Sequence, residues 1–214
     1  MQTYCQTDAP VSGTRQQQRV QTRVQILDAA VRLFARAGFE ASSMADIARE
    51  AGVKKALVQY HFETKENLWR SAMSHLWQQR DQALPRYLGQ VPAPEGERAL
   101  REVFGALLSF NRHHPEWIAL VLRESATPGP RLDWLIDNFL REDIERGSAF
   151  IEMAQAAGLL PRVSPLQLLH LVSGALTYSL MVAPMTLQAT GVDLASPRAM
   201  DEQVDILIKL LKPA

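Results

Sequence analysis

Apolar residues recur at intervals of three and four along most of the chain, the spacing that gathers them on one face of an α-helix. Ile26, Leu27, Ala30, Val31, Leu33, Phe34 and Ala37 define a first helix, which Gly38 stops. Ser43 opens a short second helix containing Met44, Ile47, Ala48 and Ala51, and Gly52 closes it. A third runs from about Lys55 to Tyr60. A fourth starts at Thr64, a suitable N-cap, and carries Leu68, Trp69, Ala72, Met73, Leu76 and Trp77 towards Leu84. Five more helices are predicted over about 95–113, 115–126, 130–157, 165–182 and 197–212. Pro94, Pro115, Pro130, Pro165 and Pro197 stand near their starts, where a missing N–H costs nothing, and Gly158 ends one of them. Alternating strand patterns and Asn-Gly or Asp-Gly hairpin turns are absent. The prediction is an all-α protein of about nine helices.

Polarity divides the chain further. Residues 1–16 are polar and aperiodic and read as a disordered arm; 17–63 form a small head, and 64–214 a helical body. The turn-rich stretch Gly89-Gln-Val-Pro-Ala-Pro-Glu-Gly falls between the helices of head and body. Hydrophobic residues make up 47% of the 214, enough to bury a sizeable core. No uninterrupted apolar run approaches the roughly 20 residues of a membrane-crossing helix. The N-terminus has no apolar signal-peptide core, and a single cysteine, Cys5, forms no internal disulfide; a cytoplasmic protein without membrane contact is expected.

Formal net charge is zero, but it is unevenly spread. Between Arg15 and Arg70 there are ten basic residues against six acidic ones, so a basic first third sits on an acidic remainder. That asymmetry suits a nucleic-acid-reading head on a body with another task.

The segment Ser43-Met-Ala-Asp-Ile-Ala-Arg-Glu-Ala-Gly-Val-Lys-Lys-Ala-Leu-Val-Gln-Tyr-His-Phe holds the strongest motif. Ser43 can cap its helix, with Asp46 as a shortened capping-box partner. Ala48 is small where two helices cross, and Gly52 supplies a positive φ for the turn. Val53 and Val58 plug inward, which leaves Lys54, Lys55, Leu57, Gln59 and Tyr60 pointing out. A helix–Gly turn–helix of this kind lets its second helix enter a DNA major groove while the first crosses the backbone.

From about Arg19 to Trp69 the chain resembles the DNA-binding head of the TetR family of regulators. Ile26, Ala29, Ala30, Leu33, Phe34, Gly38, Phe39, Ser43, Ile47, Ala48, Ala51, Gly52, Val53, Tyr60, His61, Phe62, Lys65 and Leu68 carry the likeness. The resemblance implies a sequence-specific regulator of transcription, more often a repressor than an activator, bound to a double-stranded operator. It implies that Arg19 and Arg23 touch phosphates or the minor groove, and that Ser42 and Ser43 present a helix start to phosphate. Lys54, Lys55, Ala56, Leu57 and Gln59 correspond to the base-reading surface, and Tyr60, His61 and Lys65 to a backbone clamp. Gln59 suits an adenine edge and Leu57 a thymine methyl. Two positions depart from the family pattern. Lys54 stands where a helix-capping serine is common, and Gln59 where tyrosine is common.

The body carries two further expectations. The last helix has one apolar stripe, Met200, Val204, Leu207, Ile208 and Leu211, and the helix from Pro165 to Val182 is apolar nearly all round. Such a helix needs neighbours on both flanks, so these two helices and their symmetry mates are expected to form a four-helix homodimer interface. Between about 95 and 157, Phe104, Phe110, Trp117, Trp134, Phe139, Phe150 and Met153 are mostly plain core. A small apolar or aromatic effector is nevertheless expected to touch some of Trp77, Phe104, Asn111, Trp117 and Tyr178. His170 and Tyr178 read equally as core polar groups or ligand contacts. His113, His114 and Glu116 suggest a helix end rather than a metal site, because neighbouring helical residues diverge by about 100°. No phosphate loop, carboxylate pair or Ser/His/Asp set points to an enzyme, and no metal or cofactor is predicted. The alternative is a DNA-binding regulator controlled by a protein partner rather than a small ligand.

Overall fold

The computed structural model describes residues 11–84 and 96–213. The expected arm over 1–10, with Cys5, and the turn-rich stretch with Pro94 lie outside them. Nine helices occur among the described residues: α1 (Val11–Ala37), α2 (Met44–Glu50), α3 (Lys55–Phe62), α4 (Lys65–Ala83), α5 (Glu97–His113), α6 (Pro115–Ser125), α7 (130–156), α8 (Pro165–Thr190) and α9 (Pro197–Leu210). Within α7, Pro130–Leu135 and Arg141–Ala156 are α-helical and Ile136–Leu140 is a π-helical turn. The all-helical expectation holds.

Two compact units divide at His75 and Leu76, within α4, rather than at the expected boundary of 63 and 64. In the first unit, Ile26, Ala29, Ala30 and Phe34 of α1 are buried with Ile47 and Ala48 of α2, Val58 and Phe62 of α3, and Leu68, Trp69 and Met73 of α4. Truncating a fully buried ring such as Phe34 to Ala would cost about 3–5 kcal/mol. Gly52 takes φ 65° and turns the chain from α2 to α3, and Val53 N–H returns to Ala48 O at 2.9 Å. A side chain with a Cβ is strained at that φ, which accounts for glycine there.

In the second unit, Leu100, Val103, Phe104 and Leu108 of α5 form one core with Ile151 and Ala154 of α7, Leu168, Val172 and Leu176 of α8, and Met200, Val204, Leu207 and Ile208 of α9. A Cβ on Gly147 would lie 2.7 Å from Leu169 Cδ1, so glycine lets α7 and α8 approach closely. Ser164 and Ser196 cap α8 and α9 through their side chains, with Pro165 and Pro197 in the first turn.

Two helices run longer than their sequence pattern suggests. α1 begins at Val11, so residues 11–16, assigned to the arm, are helical. α8 passes Pro184 and reaches Thr190, eight residues beyond the predicted end at 182. At 26 residues and a mean hydropathy of 1.4 over its most apolar window, α8 is long and apolar enough to cross a membrane by length and composition. Its inner face is nevertheless packed in the core, through Leu168, Val172, Leu176 and Ala183.

Glu63, which ends α3, is the sole non-glycine residue with positive φ among those described, at φ 62° and ψ −58°. This is a sparsely populated region that costs about 1–3 kcal/mol for a residue with a Cβ. Glu63→Gly is expected to raise the unfolding temperature of the first unit, with a net gain of about 1 kcal/mol after the entropy of the freer glycine. Scanning calorimetry of the two proteins checks it, and a lower transition for the glycine variant would refute the strain.

Candidate nucleic-acid interface

α3 is held by Val58, fully buried, and Phe62, buried. Lys54, Lys55, Ala56, Gln59 and Tyr60 are left exposed and Leu57 half-exposed. Tyr60 keeps 63% of its surface in solvent, unusual for a large aromatic in a small helical unit. α1 joins this face from the side. The Arg19 guanidinium lies 5.2 Å from the centre of the Tyr60 ring, and that of Arg23 lies 5.2 Å from the Phe62 ring. Cation–π attraction holds both arginines over α3 rather than letting them spread into solvent. His61 sits edge-on to Tyr60, ring centres 5.4 Å apart. Its pKa is pushed below the usual imidazole range, first by burial and then by the positive charges of Arg19 and Arg23. The structure thus brings Arg19, Arg23, Lys54, Lys55, Ala56, Leu57, Gln59, Tyr60 and His61 to one side of the unit.

Ser43 caps α2 as the sequence suggests. Its hydroxyl accepts from Asp46 N–H at 3.1 Å and donates to Asp46 Oδ2 at 2.6 Å. Asp46 is also paired with Arg49, and its carboxyl is held below the usual range chiefly by the Ser43 hydrogen bond. The hydroxyl of Ser43 is therefore engaged within its own helix. Lys54 begins α3 without any side-chain cap, as expected of a residue with no acceptor.

Two assigned contacts turn inward. Ser42 is buried, and its hydroxyl donates to Gly38 O at 2.6 Å, so it presents no donor to a phosphate. Lys65 Nζ donates to Phe39 O at 3.0 Å and Ser42 O at 3.2 Å, and lies 4.1 Å from the Phe39 ring centre. Its ammonium fastens the α1–α2 turn to the start of α4 with two of its three donors. Sequence reading cannot see this, because the acceptors are backbone carbonyls more than twenty residues away.

Other supports were missed for the same reason. Gln25 Nε2 donates to Ala51 O at 2.7 Å and satisfies the end of α2 from α1. Arg32 and Arg36 are exposed, and both reach Glu50 at 3.3 Å and tie α1 to α2.

The residues assigned to an effector scatter. Phe104 belongs to the buried core, and Tyr178 is 66% exposed on the outer face of α8. Asn111 is buried and donates to Leu176 O at 3.4 Å, a satisfied core polar group. Trp77 and Trp117 do come together, ring centres 4.4 Å apart. His170 is exposed and bonded to Leu166 O at 2.7 Å on its own helix. An open cleft lined by Glu97, Leu100, Leu159, Ile208 and Lys212 contains none of the five.

Comparison with known proteins decides what this architecture is. The model of the bacterial regulatory proteins of the tetR family matches residues 26–72, and that of a tetracyclin repressor-like C-terminal domain matches 97–211. The chain belongs to the TetR family. The transcriptional repressor NicS of Pseudomonas putida is 30% identical over 118 residues, which are 55% of each chain, so this chain spans about half the length of that relative. Among solved structures, AibR in complex with isovaleryl coenzyme A and operator DNA superimposes with a TM-score of 0.68 at 19% identity, over 89% of this chain and 97% of that one. A regulator from Saccharomonospora viridis in complex with choline gives a TM-score of 0.63 at 20% identity, over 89% and 96%. At these identities the structures share the fold of this TetR-family chain.

Lys65→Met keeps the stem of the side chain and removes its donors. It is expected to destabilise the first unit by about 1–3 kcal/mol, because both carbonyls lose a charged donor. Urea unfolding checks this, and an unchanged midpoint would show that the ammonium is not a fastening.

Proposed function

We propose that this protein is a cytoplasmic, sequence-specific transcriptional regulator, a repressor, that binds operator DNA as a homodimer and is released by a small molecule. The observation that carries the reading is the single exposed face on which Lys54, Lys55, Gln59 and Tyr60 of α3 meet Arg19 and Arg23 of α1. α3 enters the major groove, Gln59 and Leu57 meet base edges, and the two arginines take phosphates on the flank. His61, whose pKa burial and the two arginines hold below the usual imidazole range, contributes a hydrogen-bonding ring to this face. NicS, named a repressor, and AibR, solved with operator DNA, support it.

The dimer reading rests on α8. Leu171, Gly174, Tyr178, Met181 and Met185 are all exposed and recur at three and four, one continuous seam opposite the packed face. Ile206 and Leu210 of α9 are exposed too, at 57% and 77%. A seven-residue apolar repeat on a helix is a helix-pairing surface, and a two-fold axis supplies its copy. Tyr178 is thus reassigned from effector contact to subunit contact. Two heads on such a dimer read half-sites one DNA turn apart, ~34–36 Å, or a multiple of it. The body is the effector-binding unit. An effector acts by binding the DNA-incompetent arrangement more tightly.

Replacing Arg19 and Arg23 together by Ala is expected to weaken operator binding and flatten its salt dependence by about two phosphate contacts, near 0.9 per contact in the log–log slope. Binding isotherms across a salt series, on operators recovered by selection from random DNA, provide the check. An unaltered slope would remove this face from the interface. Met181→Glu is expected to split the dimer without unfolding it, as read by sedimentation; a dimer that survives would move the interface elsewhere.

A further inference from the structure

The second unit contains a cluster that neither core packing nor DNA binding explains. Arg80 of α4 is buried to 7% side-chain exposure between two carboxylates. Its Nη1 is bonded to Asp143 Oδ2, and its Nε and Nη2 hold Asp81 Oδ1 at 2.9 and 2.7 Å. Trp77 Nε1 donates to the same Asp143 oxygen at 3.0 Å. The guanidinium lies 4.9 Å from the Trp117 ring centre and 5.8 Å from that of Trp77. Phe139 stacks on Trp77 at 4.7 Å, and Trp134 meets Phe139 edge-on at 5.6 Å.

Three physical points single this place out. Among the described residues the cluster has two carboxylates for one guanidinium, set against aromatic faces that are themselves electronegative, so it is built to hold positive charge. A buried ion pair adds little stability over apolar residues of the same volume, so packing alone does not account for it. The π-helical turn Ile136–Leu140 carries Phe139 into the cluster and sets Asp143 one turn later; such turns concentrate at functional sites. Asp143 keeps 24% of its side chain exposed and Trp117 is half-buried, so the site is open to solvent on one side.

We propose that Trp77, Trp117, Phe139 and Asp143 form a receptor for an organic cation, an aryl- or alkylammonium, and that Arg80 is a tethered occupant which the ligand displaces. The incoming ammonium takes the Trp117 face and the Asp143 carboxylate. Arg80 withdraws along its flexible stem to Asp81, which is 54% exposed and already bonded to it. Charge stays balanced, since one cation replaces another beside Asp143. Because the ligand competes with Arg80, its apparent affinity is reduced by the fraction of time Arg80 fills the site. The inference rests on the reading of the body as an effector-binding unit and adds the class of effector.

The test is calorimetric titration of the full chain with benzyltrimethylammonium and, in parallel, with phenylacetate, a similar-sized anion. The ammonium is expected to bind and the anion not. Arg80→Gln removes the competitor and is expected to tighten ammonium binding about tenfold, whereas Asp143→Asn weakens it by about as much. Arg80→Lys, which keeps a shorter cation, should fall between wild type and Arg80→Gln; thermal melts confirm that each variant is folded. Binding of phenylacetate that Arg80→Gln abolishes would overturn the proposal, because Arg80 would then be an anion receptor. Binding of neither compound would overturn it as well. These titrations contain no DNA, so their failure is distinguishable from failure of operator binding.

Discussion

The first unit depends on one ammonium group. Lys65 reaches from the first turn of α4 to two carbonyls in the turn between α1 and α2. α3 lies between those two places in the chain, so its entry and exit are both set by elements that Lys65 fastens together. An ammonium has three donors and no acceptor, so turn carbonyls outside any helix ladder are its natural complement. With the turn fixed, Arg19 and Arg23 stay over the rings of α3, and the charges of two separate helices act as one surface. Gln25 and the Arg32–Glu50–Arg36 set fix α2 against α1 in the same way, from side chains to distant partners.

What the sequence makes legible is what is locally encoded. The capping of α2 by Ser43, the turn at Gly52 and the proline starts of α8 and α9 need only neighbouring residues, and each stands where the pattern puts it. Helix lengths are less legible. The beginning of α1 is rich in glutamine and arginine, which favour helix but give no apolar stripe to read. Pro184 argues for a stop that α8 does not make. Ser42 and Lys65 were read as outward because motif position gives a residue's place in the chain and not the direction of its polar atoms. Nothing in the apolar run of α8 marks Tyr178 as outward, because an apolar helix hides which of its faces meets the core.

α8 illustrates that last point in physical terms. Leu168, Val172 and Leu176 pack inward, while Leu171, Tyr178 and Met181 look out, so the helix is apolar on opposite sides for different reasons. Overall hydropathy sums the two sides and resembles a membrane span. Only the burial pattern separates them. The Arg80 cluster is invisible to pattern reading from the other direction, because its members come from three helices and its π-helical turn leaves no periodic trace.

No side chain caps α3; its start carries two ammonium groups, and Leu57 N–H turns back to Lys54 O at 2.9 Å. A phosphate oxygen placed there would complete the cap that Lys54 cannot supply, because helix-start amides and the helix dipole both favour an anion. Part of the heat released on association would then come from completing the protein's own secondary structure rather than from touching bases.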